Sequence, residues 1–337
     1  MAKFILIVGG AGFIGSHVNK MLHRAGYETI VLDNLSCGHR EAVRYGIFIE
    51  GDLADTALLN HIFESYSIEA VMHFAAFIDV GESVINPAKY YLNNVVHTLN
   101  LLTAMQRYEV KNFIFSSTAA IFGYPLEPLI KEDHPCKPIN PYGETKWIIE
   151  KMVRDFEAAY GLKFCCLRYF NAAGGDPEVE IKNHQIQTSN LIPRILLSLK
   201  KSDSIVTIYG NDYSTPDGTC IRDYIHIEDL GTAHILAMEQ LLVGSSSKCY
   251  NLGNGQGFSV KEVIHAVESV LSRKVQVVEG ERRLGDPPIL LADPTKATHE
   301  LNWHPRYSLE EMIEHAWRAY PLSIKPQEED KRSAIPH

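Results

Sequence analysis

The chain contains no run approaching ~18 consecutive apolar residues, so no segment reads as a membrane-spanning helix. The apolar stretch FILIV at 4–8 is too short for the core of a secretory leader and runs straight into glycines. Positive charge is in deficit. The 32 Lys and Arg face 41 Asp and Glu, a net charge of −9, which argues against a broad nucleic-acid footprint and leaves only local arginine clusters to meet anions. Cysteine is sparse. Cys37, Cys136, Cys165, Cys166, Cys220 and Cys249 follow no zinc spacing, and the adjacent pair 165–166 lies inside an apolar run. Reduced, partly buried thiols are expected, rather than a disulfide framework. There is neither an internal repeat nor a low-complexity segment. A soluble, cytoplasmic globular protein is the expectation, and 337 residues at 45% hydrophobic content supply a core for one large domain or two lobes.

Short β-rich runs alternate with helical patterns through the first half. KFILIV (3–8), ETIVLD (28–33), GIFIEGD (46–52), EAVMHFAA (69–76), KNFIFSS (111–117) and LKFCCLRY (162–169) read as strands covered on both faces. Helical periodicity fills 55–66, 87–108 and 142–160. Such alternation predicts an α/β fold with a doubly wound parallel sheet. After about residue 170 the texture changes. Long polar loops at 171–190 and 210–224 are followed by helical patterns at 191–201, 229–242, 259–272 and 309–320. The expected organisation is a dinucleotide-binding domain over 1–170, with some later segments returning to it. A smaller mixed α/β lobe over 171–320 and a polar tail over 321–337 complete the chain.

ILIVGGAGFIGS places Gly9, Gly12 and Gly15 at three-residue spacing directly after a strand; it can also be parsed as G-x-G-x-x-G from Gly10. A tight turn of this kind lets backbone approach a pyrophosphate at a helix N-terminus. Asp33 ends the next strand, where a carboxylate can accept from a ribose 2′-hydroxyl and would repel a 2′-phosphate, favouring NAD over NADP. In EGDLAD (50–55), Asp52 is a second candidate contact, toward the adenine, with a helix cap at Asp55 as the alternative use of this loop.

Of sixteen tyrosines only Tyr142 has a lysine four places on, at Lys146, in a helix expected to begin near Pro141. A free phenol has pKa ~10 and is a poor base near neutrality. A neighbouring ammonium and a cationic nicotinamide would favour phenolate and make Tyr142 a general base. FIFSSTAAIFG (113–123) ends a strand in Ser116, Ser117 and Thr118, where ligands sit in parallel sheets; local capping of the turn is the other use of such hydroxyls.

With these features in order, the chain resembles the extended short-chain dehydrogenases/reductases, and among them the 4-epimerases of UDP-sugars. GGAGFIG, DNLS, HFAAF, VGESV, YYLNN, FSSTAAIFG, NPYGETK, LRYFNAAG, GNDYSTPDGTCIRDYIHIEDL, YNLGNG and RRLGD follow the family order over roughly 4–315. The resemblance implies reversible interconversion of UDP-galactose and UDP-glucose with tightly held NAD. In that scheme Tyr142 takes the proton of the sugar 4-hydroxyl, Thr118 assists, and Lys146 orients the nicotinamide ribose. It also implies further NAD contacts at Phe13, Ile14, Asn34, Leu53, Phe74, Ala75, Ala76, Asn93, Ser116 and Phe170. A UDP-sugar site is implied at Asn171, Asn190, Leu191, Thr207, Tyr209, Arg222, Arg283 and Asp286. Taken alone, Arg222 beside Asp223 also fits a surface ion pair, and Arg282–Arg283 a solvated turn. A homodimer through helices 87–108 and 142–160 is implied as well. Thr118 stands where many relatives carry Ser, and Ile78 where some carry Lys. Leu290 stands at a position of variable bulk linked to N-acetylated sugars, so epimerisation of UDP-N-acetylglucosamine or a UDP-pentose is the alternative activity. Ala119 and Ala120 follow Thr118 where 4,6-dehydratases need an Asp-Glu pair, which demotes elimination. An ordinary dehydrogenase and a non-catalytic NAD-binding protein are the remaining readings.

Overall fold

The computed structural model describes residues 2–183, 190–200, 205–283 and 286–320; the expected tail at 321–337 lies outside the described residues. Along the chain run β1 (Lys3–Val8), α1 (Phe13–Arg24), β2 (Glu28–Asp33), β3 (Ile47–Glu50), α2 (Thr56–Ser65) and β4 (Ser67–His73). There follow α3 (Val80–Ile85), α4 (Pro87–Tyr90), a π-helical turn at Tyr91–Val96, α5 (His97–Arg107) and β5 (Asn112–Thr118). Then come β6 (Leu129–Ile130), α6 (Pro141–Tyr160), β7 (Lys163–Tyr169), β8 (Asn171–Ala173), α7 (Leu191–Lys200) and β9 (Val206–Tyr209). The remainder is β10 (Ile221–His226), α8 (Ile227–Leu242), β11 (Lys248–Leu252), β12 (Gly257–Ser259), α9 (Val260–Leu271) and β13 (Val277–Gly280). The last described elements are β14 (Ile289–Ala292), α10 (Thr295–Leu301) and α11 (Leu309–Ala319).

Seven parallel strands form the large sheet in the order β11-β7-β5-β4-β1-β2-β3. The chain winds outward from β1 in one direction, then crosses to β4 and winds outward in the other. Ligands bind at the carboxyl ends of strands beside such a reversal. Alternate strand residues feed two separate cores. Ile5, Ile7, Val31 and Cys165 pack with Leu230 and Ala233 of α8, while Leu6, Val8, Ile30 and Cys166 pack with Leu59, Leu101 and Ile149. Burial on both faces is why these runs are apolar throughout instead of alternating. This is the doubly wound α/β sheet expected from the sequence.

Several details depart from the sequence pattern. The run at 69–76 forms a strand only to His73. Phe74 and Ala75 then leave the ladder, and both N–H groups donate to the Val8 carbonyl, at 2.8 and 3.1 Å. The helical pattern 87–108 is interrupted by the π turn, which brings Asn94 inward. β11, from the second half of the chain, forms an edge of the large sheet, and α3 and α10 were not legible in the sequence.

A smaller mixed sheet runs β12-β10-β14-β6, with β8 beside β10, and β13 and β9 form a parallel pair. α7, α9 and α11 enclose a third core around Ile195, Val263 and Met312. β10 links the sheets, because β8 continues from β7 while β10 leads into α8. A buried cation fixes the junction: Lys20 of α1 donates to Asp176 at 2.5 Å and Glu178 at 2.9 Å, holding the segment after β8 against α1.

Candidate active site

The turn between β1 and α1 is built for close backbone approach. Gly9 has φ +82°, and a Cβ there would lie 2.4 Å from the Ala75 nitrogen. A Cβ on Gly15 would lie 2.4 Å from the Gly9 carbonyl oxygen, so the helix could not sit this near the turn with any side chain in its place. Gly12 caps α1 from extended backbone, leaving the first N–H groups of Phe13, Ile14 and Gly15 at the open end of the helix. Asp33, at the end of β2, braces the turn. One carboxylate oxygen accepts from Ala11 N–H at 2.9 Å and the other from Leu35 N–H at 2.8 Å. Asn34 donates to Asp52 at 2.5 Å, and Asp52 also accepts from Ala54 N–H. Burial raises the Asp52 carboxyl, but these two hydrogen bonds outweigh it and hold the group below its ordinary range. Asp55, the alternative in this loop, does cap α2 through Ala57 and Leu58. Leu53, Phe74, Ala75 and Ala76 follow the ends of β3 and β4. The strand ends thus gather the candidate NAD contacts of the first half along one edge of the sheet.

Asn93 lies on the π turn and donates to the Asn94 side chain at 3.0 Å. Asn94 is fully buried, exchanges hydrogen bonds with both backbone groups of Phe77, and donates to Thr145 of α6 at 3.1 Å. It is a positioning residue that sequence reasoning passed over, because nothing in YYLNN separates the inward asparagine from its neighbour.

α6 begins where the sequence expects it. The Asn140 side chain accepts from Gly143 N–H, Pro141 occupies the first turn, and Gly161 at φ 71° ends the helix. This start places Tyr142 and Lys146 one turn apart, facing the end of β5. The Tyr142 phenol lies beside the Thr118 hydroxyl, which caps the following turn by accepting from Ala120 N–H at 3.2 Å. Lys146 is buried and donates to the Ser116 carbonyl at 2.8 Å, with its ammonium 4.8 Å from the Phe115 ring centroid. Ser116 accepts at its hydroxyl from Tyr169.

The electrostatics correct one expectation. Burial drives the Lys146 amine down to about 7, and it raises the Tyr142 phenol above its ordinary value, with only the Thr118 hydrogen bond opposing. Lys146 by itself therefore does not make the phenol acidic. Its amine is engaged with the Ser116 carbonyl, and burial acts on both groups against charge.

Behind these hydroxyls lies a buried ionic support. Glu150, one turn beyond Lys146, accepts from Ser117 at 2.7 Å and from Arg168 of β7 at 2.9 and 2.7 Å. Burial favours the neutral acid, but Arg168 dominates and keeps the Glu150 carboxyl lowered. The sequence held a signal for its partner only: Arg168 is an isolated charge in the apolar run FCCLRYF, whereas Glu150 is followed directly by Lys151.

The second constellation is basic. Arg283 stacks over the Tyr209 ring at 4.2 Å, and Arg194 of α7 lies over the same ring at 5.8 Å. Hydrogen bonds from Arg194 and then Arg283 hold the Tyr209 phenol below its usual range. Arg222 donates to the Pro287 carbonyl at 2.8 Å and lies 3.4 Å from Asp286. The Arg222–Asp223 ion pair is not formed, because Asp223 is buried and accepts instead from the N–H groups of Asn254, Gly255 and Ala292. Arg282 pairs with Asp212 at 2.6 Å, not with solvent alone. Thr207 shares a strand face with Tyr209. Asn171 donates to the Asp223 carbonyl at 2.8 Å, Phe170 precedes it, and Asn190 and Leu191 open α7. Arg194 was missed; it stands three residues after Leu191 with no motif of its own.

Comparison with known proteins agrees with this geometry. The sequence pattern of the NAD dependent epimerase/dehydratase family matches residues 5–253. The chain is 48% identical to the UDP-glucose 4-epimerase of Halalkalibacterium halodurans, over 97% of this chain and 99% of the relative. The crystal structure of UDP-glucose 4-epimerase from Brucella ovis in complex with NAD superposes with a TM-score of 0.91 at 47% identity, covering 94% of this chain and 98% of that one. The UDP-Glc/GlcNAc 4-epimerase of Campylobacter jejuni superposes with a TM-score of 0.83 at 40% identity, covering 95% of this chain and 99% of that one. A glycine turn that only unsubstituted backbone can form, a buried phenol beside a strand-end hydroxyl, and similarity over nearly the full length to relatives of one kind lead to one conclusion: the chain belongs to the NAD dependent epimerase/dehydratase family.

Proposed function

We propose that this chain interconverts UDP-galactose and UDP-glucose by inverting C4 of the sugar. The observation that carries the reading is the placing of the buried Tyr142 phenol beside Thr118 at the end of β5, with Lys146 one helical turn on and bonded to the Ser116 carbonyl. NAD fits the first constellation. Glycine at 9 and 15 lets the turn pack directly on the Ala75 backbone and on α1, the first N–H groups of α1 stand at its open end, and Asp33 offers a carboxylate to a ribose. When bound there, NAD supplies a hydride acceptor that also returns the hydride. Tyr142 removes the proton of the C4 hydroxyl, with the Thr118 hydroxyl bridging phenol and sugar oxygen. Loss of proton and hydride leaves a 4-keto sugar. Turning about its bond to the diphosphate presents the opposite face, and Tyr142 gives the proton back to the inverted alcohol. Lys146, anchored on the Ser116 carbonyl, positions the nicotinamide ribose.

Gripping the nucleotide while the sugar turns is the task of the second constellation. Arg222, Arg283 and Arg194 suit a diphosphate, since a guanidinium fork bonds two oxygens at once. Asn171, Asn190, Leu191, Thr207, Tyr209 and Asp286 complete the assigned UDP site. Exposed apolar side chains on α3 to α5, including Ile85 at 85%, Leu92 at 56% and Val96 at 45%, support a homodimer through this helical face.

The test is incubation of purified protein with UDP-galactose and no added cofactor. UDP-glucose as product, with NAD released on denaturation, is expected. Absence of turnover with and without added NAD, or a 4-keto-6-deoxy product, would overturn the reading. A parallel incubation with UDP-N-acetylglucosamine addresses the wider sugar range printed for the Campylobacter jejuni relative.

A further inference from the structure

On the face of the large sheet that carries α6 sits a thiol cluster the mechanism does not use. Cys249 of edge strand β11 pairs in register with Cys166 of β7, so both side chains leave the sheet on the same face. Their sulfurs and a Glu150 carboxylate oxygen all lie within 4.8 Å of one another. In-register neighbours on adjacent strands hold their Cα atoms about 4.8 Å apart. That falls inside the ~4.4–6.8 Å window a disulfide accepts. Cys166 is fully buried and Cys249 only half-buried, so a reagent arriving from solvent meets Cys249 first.

The surroundings divide the roles further. Arg154 lies 3.5 Å from the Cys249 sulfur, and Arg168 flanks the same Glu150. The neighbouring Cys166, and then the two guanidiniums, hold the Cys249 thiol below its ordinary range against burial and the Glu150 carboxylate, to which it donates at 3.9 Å, while burial pushes Cys166 and Cys165 well above theirs and Cys136 to about 11. A metal centre is the other use of two thiols and a carboxylate. Here Glu150 already accepts from Ser117, Arg168 and Arg154, and a cation would enter between two guanidiniums. The arrangement suits thiol oxidation instead.

We propose that Cys249 and Cys166 form a pair oxidised by hydroperoxides to an inter-strand disulfide. The Cys249 thiolate attacks one peroxide oxygen; an S–O bond forms, the O–O bond breaks, and the departing oxygen takes up a proton and leaves as water or an alcohol. The Cys166 sulfur then displaces the hydroxyl from the Cys249 sulfenic acid. Cys166 loses its proton, the S–S bond forms and water leaves. Two electrons pass from the two thiols to one peroxide.

The experiment treats the full-length protein with hydrogen peroxide, blocks remaining thiols, digests without reductant and maps the peptides by mass spectrometry. The expected result is a linked peptide pair containing Cys166 and Cys249, separated by dithiothreitol. Cys166→Ser should instead trap the Cys249 sulfenic acid as a dimedone adduct, and Cys249→Ser should give neither species. Without peroxide, iodoacetamide at neutral pH should label Cys249 at least ~10-fold faster than Cys136, since the thiolate is the reactive form. Recovery of Cys166 and Cys249 as free thiols while the exposed Cys37 is oxidised would overturn the proposal, as would linkage of Cys249 to Cys37. Should either serine variant fail to fold, the wild-type peptide map alone decides the matter.

Discussion

The chemistry of the site comes down to two side chains that burial pulls away from charge. Burial raises the Tyr142 phenol and brings the Lys146 amine down to about 7, so in the proposed reaction a cationic nicotinamide would favour the Tyr142 phenolate. Replacing Tyr142 by Phe should lower kcat by ~10²–10⁴-fold with bound NAD retained, the span typical of a lost general base. Full turnover in that variant would remove Tyr142 from the role. Lys146 carries a separate stability consequence. Its folded pKa lies below the unfolded value of ~10.4, so the unfolded chain holds the extra proton between the two. The resulting penalty grows as pH falls from about 10 to about 7 and is complete below 7. Lys146→Met should therefore lose activity yet gain stability, on the order of a few kcal/mol less ~1 for the lost bond to Ser116. Denaturant midpoints at several pH values check this: the variant's advantage should widen from pH 9.5 to pH 7 and then level off.

At the scale of elements, the site depends on contacts between one helix and one strand that no side chain may occupy or leave unpaired. Gly15 touches Gly9 so closely that Gly15→Ala must push α1 away from the turn. The variant should fold, with its far-UV spectrum unchanged, and be purified without NAD; retained cofactor at wild-type stoichiometry would count against the cradle. The α6–β5–β7 junction rests on Glu150. Glu150→Gln leaves buried Arg168 without its counter-charge, and a loss of about 3–5 kcal/mol in urea unfolding is expected. The native carboxyl is lowered, so its contribution is present above the unfolded value of ~4.3 and is lost as pH falls through the folded one. The destabilisation by Gln should accordingly shrink in acid. These elements were legible to different degrees. The glycines, Asp33 and the Tyr–Lys spacing stood out because local backbone rules dictate them. The bond between Glu150 and Arg168, eighteen positions apart, and the inward turn of Asn94 were not, since each is set by which strand and helix become neighbours.

At the scale of the whole molecule, an apolar face runs along α3, the π turn and α5. Leu92, Val96 and Leu99 are 56%, 45% and 43% exposed in the single chain. A dimer mass is expected at micromolar concentration by light scattering, and Leu92→Glu should yield monomer; a wild-type monomer would remove the assignment. The two lobes are also held by charge, through buried Lys20 and its carboxylates on the segment after β8. That clamp joins residues more than 150 positions apart and has no sequence signature.

The sequence by itself determined the parallel sheet, the glycine turn after β1 and the spacing that sets Tyr142 one turn from Lys146. All three follow from short-range rules: strand–helix alternation, glycine where backbone must approach a ligand, and four-residue spacing on a helix. Only the tertiary structure decided the burial that acts on Tyr142 and Lys146, the return of β11 to the sheet edge and the meeting of Cys166 with Cys249. Burial and contact between distant segments set those properties, and both exist only once the chain has closed on itself.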